Sequence, residues 1–149
     1  MTDGLRLKAE TSEDLEVISA CLQDALTHAG EMRFLPKSRR FAATFNRYKW
    51  ERDAAGEPSD ERSRFWRVRT GVHFDTVRSV QAYAMPAADS QLVLELLSIT
   101  AMEQDDGVEI VLVFAGGSEM RLTCECIDAH LSDIGAPWPA KRRPEHSVL

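Results

Sequence analysis

Apolar and polar residues alternate along most of this chain, and one stretch departs from the alternation in an informative way. Residues 108–115 (VEIVLVFA) are apolar on both faces, with Ile110, Leu112 and Phe114 on one and Val111 and Val113 beside Glu109 on the other. Such a strand belongs in the interior of a sheet. Gly116-Gly117 supplies the positive φ angles of a tight hairpin. Met120, Leu122 and Cys124 then alternate with Arg121 and Thr123, the pattern of a half-buried strand. From Thr123 the period lengthens. Cys124, Ile127, Leu131 and Ile134 recur at helical spacing, and Gly135 with Pro137 is a stop signal. The spacing predicts a strand, a turn, a second strand and a short C-terminal helix. That helix needs a sheet or barrel to sit on.

The chain upstream supplies strands. Residues 5–9 alternate over a short span. Thr11 then opens a helix, with Asp14 three residues on approximating a capping box; Leu15, Ile18, Cys21, Leu22 and Ala25 form its apolar stripe. Residues 31–35, 40–50, 64–74, 77–85 and 91–102 each read as a strand. Along 64–74, Trp66, Val68, Thr70, Val72 and Phe74 point one way and Arg67, Arg69 and His73 the other. Residues 51–63 (ERDAAGEPSDERS) have no periodicity and read as a surface loop.

Seven strands from Glu31 to Cys124, ended by one helix, predict an α+β fold. Its expected form is a mostly antiparallel curved sheet or split barrel in a pleckstrin-homology-like arrangement, with an N-terminal strand–helix extension. The alternative is an open α+β sheet with both helices on one face. The length, 149 residues, suits one domain over residues 1–140 with a loose polar tail over 141–149. The first residues carry no basic, apolar leader, and no stretch approaches the roughly 20 apolar residues of a membrane span. Cys21, Cys124 and Cys126 are an odd set, as expected of reduced thiols, so a cytoplasmic protein is expected.

Charge changes this picture. The net charge is −6, yet residues 33–78 hold twelve of the eighteen Lys and Arg and eight of the eleven aromatics. Arg33, Arg47, Lys49, Arg67 and Arg69 are expected to share a basic strand face. For Arg47 and Lys49 this requires a twist or bulge, because Phe41, Ala43 and Phe45 have their parity. An acidic protein surface or a small anion is the expected partner, and homo-oligomers are possible. Aromatics interleaved with bases also describe a single-stranded nucleic-acid platform, but the overall acidity makes nucleic acid an unfavoured partner. On the predicted C-terminal helix Cys126 and His130 are four apart, so a cysteine-dependent enzyme is the alternative from another class. The Cys124-x-Cys126 spacing is not that of a zinc knuckle, and no metal or cofactor is expected. His28, His73 and His146 are scattered.

Several segments together resemble one known family. They are Leu35-Pro-Lys-Ser-Arg-Arg-Phe-Ala42, Asn46-Arg-Tyr-Lys-Trp50, Gly71-Val-His-Phe74, Leu94-Glu-Leu-Leu-Ser-Ile99, Phe114-Ala-Gly-Gly117 and Glu125-Cys-Ile-Asp-Ala-His-Leu131. The chain is similar over nearly its whole length to the bacterial domain-of-unknown-function family 2948. The resemblance implies a small stand-alone cytoplasmic protein and brings no catalytic residues. The reading as a whole is a non-catalytic binding or adaptor domain.

Overall fold

A computed structural model describes residues 4–49 and 66–139. In chain order the elements are β1 (Arg6–Ala9), α1 (Ser12–Leu22), β2 (Leu26–Thr27), β3 (Met32–Leu35), β4 (Arg40–Tyr48), β5 (Trp66–Phe74), β6 (Val77–Tyr83), β7 (Leu94–Gln104), β8 (Gly107–Phe114), β9 (Glu119–Cys124) and β10 (Ala129–Pro139). The cap at Thr11 starts α1. Its hydroxyl accepts from the Asp14 amide at 3.1 Å, and the Asp14 carboxylate accepts from the Glu10 amide at 3.0 Å. Leu15, Ile18 and Leu22 form the buried stripe of the helix.

The strands form one antiparallel sheet in the order β1-β10-β5-β4-β2-β7-β8-β9-β6, with β3 paired to β4 off this path. The two-residue β2 joins the halves, since Leu26 pairs with both Asn46 of β4 and Glu95 of β7. Asp75 and Thr76 carry the chain straight from β5 into β6, and residues 125–128 carry β9 into β10. Strands remote in the sheet order are thus joined by very short links, so the sheet must fold over on itself. Its inner faces then close on one core. Phe41, Phe45, Val72, Phe74 and Leu131 of one half meet Leu96, Ile99, Ile110, Leu112 and Leu122 of the other, together with the α1 stripe. A register shift between Leu96 and Ser98 frees the Ile99 amide, which donates to Ser19 Oγ of α1 at 2.9 Å.

The pleckstrin-homology-like split barrel of about seven strands with a C-terminal helical cap is not the fold. Among the described residues ten strands form an open sheet, and the α-helix is α1, near the N-terminus. The open sheet carrying two helices fails at the same place. Residues 125–128 are a bend, and β10 follows, with Ala129 and Leu131 buried and His130 and Ser132 half-buried on the other face. The ladder decides this conformation, because Leu131 lies between Leu7 of β1 and Val72 of β5. Gly135 does not stop an element. Its φ is 75° and it lies in the register break between Ile134 and Trp138, after which pairing with β5 resumes. The expected loop at 51–63 and tail at 141–149 lie outside the described residues. No helix among the described residues is long and apolar enough to cross a membrane.

Candidate functional site

The expected basic face does not assemble as one patch. Phe41, Ala43 and Phe45 of β4 point inward and Arg47 keeps their parity. No bulge turns it out, since the β4–β5 register runs unbroken from Phe41↔Phe74 to Tyr48↔Arg67. The Arg47 side chain is 0% exposed and grips Asp133 of β10, Nε to Oδ1 at 2.9 Å and a terminal nitrogen to Oδ2 at 2.8 Å. Thr70 Oγ1 and the Leu5 amide donate to the same carboxylate at 2.8 and 2.9 Å. Burial would raise the Asp133 pKa, but the bonds from Arg47, Leu5 and Thr70 outweigh it and hold the carboxyl below its usual value. Arg67 is half-buried and donates to the Asn46 carbonyl at 3.1 Å. Burial lowers its pKa, against the opposing charges of Asp24 and Glu95. Arg69 is exposed and pairs with Glu31 at 2.9 Å. Arg33 is exposed on β3, and half-buried Lys49 follows the end of β4. Phe41, Phe45, Tyr48 and Phe74 are buried, so their rings are not offered to stacking bases.

Cys126 and His130 do not share a helix face, because no helix forms there. Cys126 is exposed in the bend, where its amide donates to Thr76 Oγ1 at 3.3 Å. Burial first, then Cys126, push the Cys124 thiol up to about 12, with Arg78 opposing. Cys124 is therefore no nucleophile near neutral pH. The cleft beside Cys126, of about 430 Å³, is lined by Glu10, Glu13, Glu103 and Glu125. Its carboxylates would repel an anion.

A different set of side chains meets on the outer face of the half-sheet β3-β4-β5-β10-β1. The register sets Arg33, Ala42, His73, His130 and Lys8 in one row across these five strands. Their neighbours along each strand, such as Phe41, Ala43, Val72, Phe74, Ala129 and Leu131, are buried, so this row faces away from the core. The His73 and His130 rings stack with centroids 4.8 Å apart and planes at 22°. Asp75 directly follows β5 and Asp128 directly precedes β10, and the Asp75 amide donates to the Asp128 carbonyl at 2.8 Å. His130 Nε2 lies 2.9 Å from Asp128 Oδ1, and His73 Nε2 lies 3.6 Å from Asp75 Oδ2. Arg40 Nε donates to Asp75 Oδ1 at 2.8 Å. Burial first and Arg40 next lower the His73 pKa, Asp75 opposes them, and His130 lowers it further. His73 is thus a neutral imidazole at pH 7. Of the acids near this face, Glu10 pairs with Lys8, Glu31 with Arg69 and Asp75 with Arg40, and Asp128 lies against His130.

Sequence reasoning missed the histidine pair. The alternation of strand β5 turns His73 outward, and reading residues 129–132 at period two would turn His130 outward as well. That the two meet depends on the β5–β10 register, which neither segment encodes alone. The profile of a protein family of unknown function (DUF2948) matches residues 5–146. The chain belongs to this family. No curated protein and no solved structure matches it.

Proposed function

We propose that this family member is a non-catalytic binding domain that seats an anionic partner on the outer face of β3-β4-β5-β10-β1. The observation that carries the reading is the row Arg33, Ala42, His73, His130, Lys8. Ala42 and, one row away, Gly71 keep the centre low, while cationic and imidazole N–H donors stand at both sides. Such a face offers charge-assisted hydrogen bonds to carboxylates or phosphates without a nucleophile. A cytoplasmic setting agrees with an odd count of three cysteines, Cys21, Cys124 and Cys126, read as reduced thiols.

The test uses a fluorescent hexaglutamate peptide and inorganic phosphate as probes. Binding should weaken as salt rises. Lys8→Glu with Arg33→Glu should abolish it while leaving the melting temperature unchanged, because both residues are exposed. Binding that survives this double charge reversal would overturn the proposal. Exchange of Cys126 for Ser should leave binding intact; loss on that exchange would favour the cysteine reading.

A further inference from the structure

The ligand chemistry at the centre of this face can be stated more sharply, on the reading that the face is a binding seat. We propose that His73, His130 and Asp75 hold a divalent transition-metal ion there. One ligand atom from each lies within 4.8 Å of those of the other two. Bonds of about 2.0–2.2 Å to a tetrahedral ion place ligand atoms about 3.3 Å apart. Small side-chain rotations over a fixed backbone would close that gap. The backbone is fixed because His73 and His130 are direct cross-strand partners within the β5–β10 ladder. Cross-strand partners on one face hold their Cβ atoms about 5 Å apart, which lets two imidazoles converge on one ion.

The surroundings suit a metal better than a free anion at this spot. The two rings lie side by side, with centroids 4.8 Å apart, so both present nitrogens to the same point on the face. Imidazole nitrogens are common ligands for such ions. Arg40 holds Asp75 by both oxygens, Oδ1 at 2.8 Å and, more loosely, Oδ2 at 3.4 Å, and Oδ2 is the oxygen facing His73 at 3.6 Å. The guanidinium thus aims the carboxylate and leaves it lone pairs for an ion. Asp128, 2.9 Å from His130 Nε2, can orient that ring through a hydrogen bond or add a fourth ligand. Two imidazoles with a carboxylate select zinc, nickel, copper or ferrous iron over magnesium and calcium, which take oxygen ligands. Three ligands from an exposed face leave open positions, and an anionic partner flanked by Lys8 and Arg33 would complete the coordination.

The experiment titrates the untagged protein with Zn²⁺ and Ni²⁺ by calorimetry, and with Cu²⁺ by electron paramagnetic resonance. One saturable site is expected, with hyperfine coupling to two imidazole nitrogens. His73→Gln and His130→Gln should each weaken binding at least about tenfold with the circular dichroism of the wild type retained. His28→Gln, outside the cluster, should have no effect. No saturable site, or wild-type affinity retained in both His73→Gln and His130→Gln, would overturn the inference. A metal site without peptide or phosphate binding would uphold it and remove the anionic-partner reading. Peptide binding without a metal site would do the reverse.

Discussion

Arg47 and Asp133 are the residues whose roles the sequence conceals best. Arg47 has the parity of Phe41, Ala43 and Phe45, so alternation alone puts it inside. Its charge argues for the surface, and a distant carboxylate, Asp133, with Thr70 and the Leu5 amide around it, makes burial tolerable. Breaking such a pair leaves an uncompensated buried charge. Arg47→Ala or Asp133→Asn should therefore cost roughly 3–5 kcal/mol, read from urea melts. Replacing both by apolar residues of similar size should recover part of that loss. The pair also sets an acid limit. The folded-state pKa of Asp133 is depressed, so its stabilisation is present above the unfolded carboxylate value, about 3.9. It is lost as pH falls below that value towards the folded one. The urea midpoint of the wild type should drop more steeply below about pH 4 than that of Asp133→Asn. Parallel profiles would mean that Asp133 does not titrate as described.

At the scale of elements, the strands legible in the sequence are those with clean alternation, and they end within a few residues of their expected limits. The exception is β10. Cys124, Ile127, Leu131 and Ile134 do recur at helical spacing, but Ala129 and Leu131 equally fit a period of two. The tie is broken by tertiary structure, because β1 and β5 each present a free edge to this segment. Local pattern yields to ladder pairing in such cases. Leu131 is 1% exposed in the core between the two flanking strands. Leu131→Ala should cost roughly 2–5 kcal/mol and reduce hydrogen-exchange protection along β1, β5 and β10 together. A loss of protection confined to residues 124–134 would instead describe a helix docked on its own. The Thr11 cap was readable because its bond is local, closing over three residues.

The whole molecule depends on contacts that no local pattern announces. The joint at β2 is two residues long, too short for periodicity, yet it links the halves of the sheet. The fold-over follows from the brevity of the β5–β6 and β9–β10 links, which can be weighed only once the strand order is known. The β5–β10 pairing brings Asp128 beside Asp75 and His130 onto His73, assembling the candidate seat from segments far apart in the chain. The basic, aromatic middle of the sequence had pointed to this half of the sheet but to other side chains, because Arg47, Phe41, Phe45, Tyr48 and Phe74 are buried. The central claim, that the outer face around His73 and His130 is where a ligand sits, is tested most directly by amide chemical-shift mapping. The ¹⁵N-labelled protein is titrated with hexaglutamate peptide, first alone and then with Zn²⁺ added. The account predicts the largest shifts at Lys8, Ala42, His73, His130 and Ser132. Shifts centred instead on Glu10, Glu103 and Cys126, or spread evenly over both faces of the sheet, would contradict it.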